Sequence, residues 1–475
     1  MKIIYRLFFP LTIKLFLVNG ILNAQSFYQR TYNIPNGMNW ASNIKCHPNG
    51  NYTMAFQFDS YQHVGLAEFN TMGDVLWSKK YSFNGINPTR APFMVDAHGT
   101  GYMFCLTDDE VVNPSNNAYN IRRMIFFKTD YSGNVIFSKR FNLNNTISPY
   151  GNNSYWSMIA KMITTSDGGY LIIGSIYWNG TTTRDIYLVK ITGTGNVSWA
   201  KAYETDISNS NSQDNGYSAC EGTDGNYYIC GLREHGHNAY SDMILMKINQ
   251  AGTIMSIRHI GGDWNDTPFD IIADNDGIVI SGTTEISQTN GSNMYPFIAK
   301  YDYNFNLLWK NIYTGSFNSG YIYDISKTPT GGYIFTGCTN PYAGGNGFAI
   351  KTDASGSIEW KKQYGGPATD NLINGTPESA GFIFNGAYNF YLGTNAYLGK
   401  LYIVKTNMTG DIGPVNNCPT YTLPFNISSN SALWVNLPKN GSSMDYLEEV
   451  TSNITVAPLT ITPDQVLCNF QALCD

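Results

Sequence analysis

Charged residues are scarce in this chain of 475: Asp, Glu, Lys and Arg together make up 13%. The net charge of −6 gives no electrostatic footprint for nucleic acid or an anionic membrane surface, so neither is expected as a partner. Histidine is rarer still, at six residues. The eight cysteines form no CxxC pair, which argues against a zinc ribbon. No nucleophile elbow, phosphate loop or zinc-protease helix signature occurs. No metal and no cofactor is therefore expected. What the chain has in quantity is aromatic residues (14%, with 34 Tyr) and 46 Gly. That profile fits a β-rich extracellular protein, in which Tyr covers half-exposed sheet surface and Gly serves turns.

The first residues read as an export signal. Lys2, Arg6 and Lys14 supply positive charge, Leu15 to Val18 and Ile21-Leu22 supply the apolar stretch, and Leu22-Asn23-Ala24 precedes Gln25. Lys14 and Asn19 interrupt the run, so stable membrane insertion after signal removal is not expected. A secreted or cell-surface location follows. Export would permit disulfides. Cys220 and Cys230 flank a tight turn at Asp224-Gly225, where they are read either as a cross-strand pair or as buried free thiols.

An internal repeat is the strongest signal. It reads Gly, three residues, aromatic, one residue, Lys or Arg, one residue, aromatic. Copies run from Gly73 to Tyr81, Gly133 to Phe141, Gly195 to Tyr203 and Gly356 to Tyr364, with degraded copies led by Gly252 and Phe305. The leading positions, continued to Gly410, recur every 51 to 62 residues. Five residues before each stands a Lys in an apolar run (Lys128, Lys190, Lys247, Lys300, Lys351 and Lys405), with Glu68 in the first copy. Earlier in each copy a Gly-rich turn opens an apolar strand, as in Gly168-Gly169-Tyr170-Leu171-Ile172-Ile173-Gly174. Four short strands per unit of this length is propeller periodicity.

The last copy lacks its fourth strand, because Asp411-Ile412-Gly413-Pro414 follows Gly410. Tyr28-Gln29-Arg30-Thr31-Tyr32 supplies the missing pattern, and lending it to the last unit removes two unpaired edges. The expectation is an all-β, seven-bladed propeller of four-stranded blades over 25–412, closed by the N-terminal strand and preceded by a signal peptide over 1–24. Residues 413–475 are read as a small β-rich extension: part of a sandwich, a cap or a linker.

The blade text over 331–366, GGYIFTG…GFAIKTDASGSIEWKKQYGG, resembles secreted bacterial β-propeller repeat proteins of the type IX secretion-associated kind, mostly of unassigned activity. The resemblance covers roughly 26–412 and implies fold and export, with no site residues. The turn from Asp353 to Trp360 also resembles quinoprotein-like propeller repeats, although Asp stands three residues before Gly and only some copies keep it.

In such a blade the first-to-second and third-to-fourth turns share one face, and the variable loops share the other. Function is expected on the variable face. Its candidates are Tyr177, Trp178, Tyr342, Tyr388 and Phe390, aromatic platforms for a sugar or protein, together with His235 and His237 in Glu234-His235-Gly236-His237. With no third ligand in reach, that His pair is read as a solvated loop, so no metal site is assigned. Asp263, Asp266 and Asp270 lack calcium-loop spacing and are read as turn caps, with Asp266 and Asp370 at equivalent places at the entry to an inner strand. Lys45, Asp96, Lys161, Glu221 and Lys327 are placed on inner strands around a central channel. The main expectation is a monomeric, non-catalytic scaffold that binds protein or glycan through the variable face. The alternatives are a hydrolase or lyase acting on polysaccharide with residues scattered among blades, or a structural part of a surface assembly.

Overall fold

The computed structural model describes residues 26–412 except 61, 84–86, 89–91, 112–119, 143–155, 178–183, 206–212, 235–239, 263, 286–293, 316–319, 340–344, 366–369 and 389–398, together with the strands between 421 and 471. The leader 1–24 lies outside the described residues. Every regular element among them is a strand, and no described helix is long and apolar enough to cross a membrane.

The strands form antiparallel four-stranded sheets in sequence order, the β-propeller pattern. They span 38–83, 93–142, 156–204, 213–261, 266–315 and 320–364. The next sheet takes three strands from 371–407 and its fourth from Ser26–Asn33, which pairs antiparallel with Lys400–Asn407 from Tyr28↔Lys405 to Tyr32↔Leu401. The inner strands touch one another in sequence order, and Asn371–Glu378 also touches Met38–Cys46.

Each element of the repeat has a partner in the neighbouring sheet. The leading Gly adopts positive φ, 85° at Gly73 and 74° at Gly410, in a turn that L-residues enter at a cost. The aromatic of the preceding sheet lies against it: Trp360 beneath Gly410, Trp199 beneath Gly252, and Tyr28 beneath Gly73. The closing Tyr then donates its hydroxyl to the same glycine's carbonyl. This bond runs from Tyr32 to Gly73 at 2.6 Å, Tyr81 to Gly133 at 2.7 Å, Tyr203 to Gly252 at 2.9 Å, Tyr313 to Gly356 at 3.0 Å and Tyr364 to Gly410 at 2.8 Å. The basic residue between them reaches the residue after that glycine: Arg30 to Asp74 at 3.0 Å, Lys79 to Asn134 at 2.7 Å, Lys362 to Asp411 at 2.8 Å. Tyr28, Arg30 and Tyr32 thus do for Gly73 what each blade does for the next.

The Lys in the third strand folds back onto the turn of its own blade. Lys190 meets Asp167 at 2.7 Å, Lys247 meets Asp224 at 2.9 Å, Lys300 meets Asp274 at 2.9 Å and Lys405 meets Glu378 at 3.3 Å. Between sheets the core is aliphatic and aromatic, as where Leu171, Ile173, Ile186 and Leu188 meet Ile229, Ile244 and Met246. Each such fully buried side chain contributes about 1.5–3 kcal/mol.

The C-terminal region departs from the expected sandwich or cap. Its strands pair with none of their own number. Instead Tyr421–Thr422, Phe425–Ser428, Val435–Lys439, Ser442–Asp445, Glu448–Val450, Ile454–Pro458 and Thr462–Gln471 each add an outermost strand to one sheet, taken in reverse order. The last covers Ser26–Asn33 from Ser26↔Gln471 to Asn33↔Thr462. The segment covers seven otherwise open edges, which are association hazards when left bare.

Cys220 and Cys230 do not face each other. The pairing is Cys220↔Tyr228 and Ser218↔Cys230, a register set at the turn by Glu221↔Tyr227. Both are buried free thiols.

Candidate active site

The inner strands share one irregularity. Pairing skips a residue between Ile159 and Lys161, Gly216 and Ser218, Pro268 and Asp270, Ile322 and Asp324, and Leu372 and Asn374, and skips Ser42 and Asn43 between Ala41 and Ile44. A β-bulge re-aims side chains, here toward the axis. The bulged residues Ala160, Tyr217, Phe269, Tyr323 and Ile373, with Trp40 and Phe93, line an axial cavity of about 630 Å³.

The polar residue at or after each bulge reaches the next inner strand. Asn43 Oδ1 accepts from Met94 N at 3.1 Å, Asp270 Oδ2 from Ile325 N at 3.1 Å, Asp324 Oδ2 from Gly375 N at 3.1 Å, and Asn374 Oδ1 from Ile44 N at 3.4 Å. The arrangement clasps successive strands. Where the clasp residue is ionisable, it also places charge on the cavity wall.

Four ionisable side chains line the cavity: Lys45, Asp96, Lys161 and Asp324. Lys161 forms an ion pair with Asp270, two inner strands further on. Burial works against its ammonium, but Asp270 and then Asp324 outweigh that and raise its pKa. Asp270 is fully buried, and it also accepts from Ser218 Oγ at 2.6 Å, Ile271 N at 2.9 Å and Ile325 N. These contacts hold the Asp270 carboxyl in place beside Lys161. Asp324 differs. Burial first, and the Asp270 charge second, push its pKa up to about 7 against the pull of Lys161 and the Gly375 N–H. Lys45 is shifted down, by burial above all and by Lys161, with Asp324 opposing. Asp96 is engaged by the Tyr131 hydroxyl at 2.8 Å and Gly99 N at 2.6 Å. A carboxyl that exchanges its proton near neutrality, flanked by two cations and aromatic walls, can donate or accept a proton during bond cleavage.

Lys45, Asp96 and Lys161 stand on this cavity as the sequence led one to expect. Glu221 instead accepts from Ser166 N at 2.6 Å, and Lys327 pairs with Asp274. Trp178, His235, His237, Tyr342 and Phe390 lie outside the described residues, as does the side chain of Tyr177. Tyr388 is 7% exposed and packs on Tyr402 with centroids 5.6 Å apart. Asp263 is not described. Asp266 takes Gly262 N at 2.8 Å and Asp214 takes Thr205 N at 3.0 Å, the same latch at the entry to an inner strand. Sequence reasoning missed Asp324. Its signal is an apolar–polar pair recurring once per repeat: Ala160-Lys161, Tyr217-Ser218, Phe269-Asp270, Tyr323-Asp324, Ile373-Asn374.

No family model and no curated protein matches the chain. Among solved structures it is similar to an ulvan lyase of a polysaccharide lyase family, with TM-score 0.47 and 11% identity over 84% of this chain and 97% of that one. It is also similar to the phage phi92 endosialidase, with TM-score 0.41 and 10% identity over 81% of this chain and 70% of that one. A third is the Penicillium chrysogenum alpha-L-arabinanase, with TM-score 0.41 and 9% identity over 81% of this chain and 98% of that one. These three are by name enzymes acting on glycans, and that is the finding that stands against the expectation of a non-catalytic binding scaffold. No residue role is carried over from them.

Proposed function

We propose that the chain is a polysaccharide-acting enzyme working in the axial cavity, with Asp324 as the proton-transferring carboxyl. The observation that carries this is the side chain's placement: 9% exposed, on the cavity wall, with a pKa near 7. Rings such as Trp40, Phe93, Tyr217 and Phe269 offer stacking surface for sugar faces. Tyr177, Trp178, Tyr342, Phe390, His235 and His237 are kept as proposed contacts on the variable face, whereas Tyr388, buried against Tyr402, is not.

The architecture we propose for this enzyme is a seven-bladed ring closed by the N-terminal strand. The Tyr28–Gly73 packing and the Tyr32–Gly73 bond support it. Export by the leader 1–24 is part of the same proposal, supported by its charge and apolar pattern, and so is the type IX association suggested by 331–366.

The test uses Asp324→Asn. Asparagine already serves as the clasp at 374 and 43, so the variant keeps an acceptor for Gly375 N while removing the titrating proton. The purified chain is screened on acidic and neutral polysaccharides for new reducing ends and unsaturated products. The expected result is turnover of at least one substrate, lowered about 100-fold or more in the variant with melting unchanged. Full activity in Asp324→Asn, or no turnover on any substrate, overturns the proposal.

A further inference from the structure

The cavity's charges are unequally engaged. Lys161 is held by Asp270, and Asp96 by Tyr131 and Gly99. Lys45, which follows the bulge in Met38–Cys46, lines the same cavity and has no ion-pair or hydrogen-bond partner among the described residues. A desolvated ammonium is costly unless an anion or several acceptors meet it. Lys45 itself is half-buried on this wall; burial, the leading cause, lowers its pKa, Asp324 opposes that shift and Lys161 adds to it. The chain as a whole carries −6, so its overall field repels anions. Attraction for an anion must therefore be local to this wall.

We infer that Lys45 is the recognition cation for an acidic sugar, holding the carboxylate or sulfate of a glycan unit seated in the axial cavity. The class of molecule rests on the reading of the chain as a polysaccharide-acting enzyme; the sign of its charge rests on Lys45. An incoming anion supplies the missing charge-assisted hydrogen bond. Lys161 adds a second positive field from the same wall, and Asp324 is left to handle the proton. Neutral sugars would leave the ammonium unpaired.

The test measures binding to the full chain by calorimetry, using tetragalacturonate, its fully methyl-esterified form and a sulfated neutral tetrasaccharide. The first two differ only in charge, and the third separates sulfate from carboxylate recognition. At least one anionic probe is expected to bind, and tetragalacturonate, if it is that probe, about tenfold or more tighter than its ester. Lys45→Met should remove the preference for the anion and Lys45→Arg should restore part of it, both with melting unchanged. Asp324→Asn should keep the preference while losing turnover. Equal affinity for acid and ester, an unchanged preference in Lys45→Met, or no binding of either anionic probe at millimolar concentration overturns the inference. Turnover of a neutral polysaccharide that depends on Asp324, with no anion preference, would defeat this inference alone and leave the enzyme reading standing.

Discussion

Replacing Gly73 by alanine probes the seam where the N-terminal strand meets the first full sheet. Gly73 has φ of 85°, and an added Cβ would stand 2.8 Å from Tyr28 Cζ and 2.9 Å from the Tyr32 hydroxyl. Gly168 is a matched control, with φ of 81° and nothing within 4 Å of the added carbon. In both places alanine pays for a left-handed backbone, ~1–2 kcal/mol. At Gly73 crowding against two buried rings adds ~1–3 kcal/mol, and displacing the 2.6 Å Tyr32–Gly73 bond adds about 1 kcal/mol. Urea titration should therefore show Gly168→Ala costing ~1–2 kcal/mol and Gly73→Ala ~3–6 kcal/mol, with equal m-values. Adding Tyr28→Ala removes one obstructing ring, so the double variant should be more stable than the sum of the singles implies, by about 1–2 kcal/mol. Equal costs at the two glycines, or strict additivity with Tyr28→Ala, would refute the packing of the N-terminal strand against that turn.

Three further outcomes are expected. Because the folded-state pKa of Asp324 lies near 7, above its ordinary 3.8, the native chain keeps a proton that the unfolded chain releases. Stability from this group is present below about pH 4 and is lost as pH rises to about 7, by up to a few kcal/mol, so urea midpoints of Asp324→Asn should fall less over that range than those of the native sequence. A steeper fall in the variant would reverse the sign. Truncation after Ile412 uncovers the outer sheet edges; the chain should still fold but associate with itself in light scattering, whereas a monodisperse monomer would show that those edges need no cover. Asp167→Ala leaves the Lys190 ammonium, 3% exposed, with only Thr165 as partner among the described residues, at 3.1 Å, and should cost about 2–4 kcal/mol in urea titration; a loss below about 0.5 kcal/mol would mark the pair as energetically idle.

The fold was legible because the same contact is made again and again. Gly73, Trp77, Lys79 and Tyr81 each touch the neighbouring turn or are touched by a neighbouring strand, so selection for the contact leaves a periodic trace. Tyr28, Arg30 and Tyr32 repeat the pattern, and their strand pairs with Lys400–Asn407. The site left a fainter trace. Its positions are equivalent in the backbone, but they are filled by Asn43, Lys161, Ser218, Asp270, Asp324 and Asn374, whose chemistry changes from blade to blade. Bulges of one residue also defeat simple alternation, and Cys220 and Cys230, read either as a cross-strand pair or as buried free thiols, are out of register because the turn sets Glu221 opposite Tyr227. The C-terminal strands were read as part of a sandwich, a cap or a linker because each pairs with the edge of an earlier sheet and not with a sequence neighbour, a relation that local pattern does not encode.

The central claim is that Asp324, on the wall of the axial cavity, exchanges its proton near neutral pH. Carboxyl infrared difference spectra of the intact protein against Asp324→Asn, titrated across pH, measure this directly. A protonated-carboxyl band present only in the native sequence, with a midpoint of about 7, is the expected result. A midpoint near the ordinary 3.8, or identical titrations in the two proteins, would contradict it.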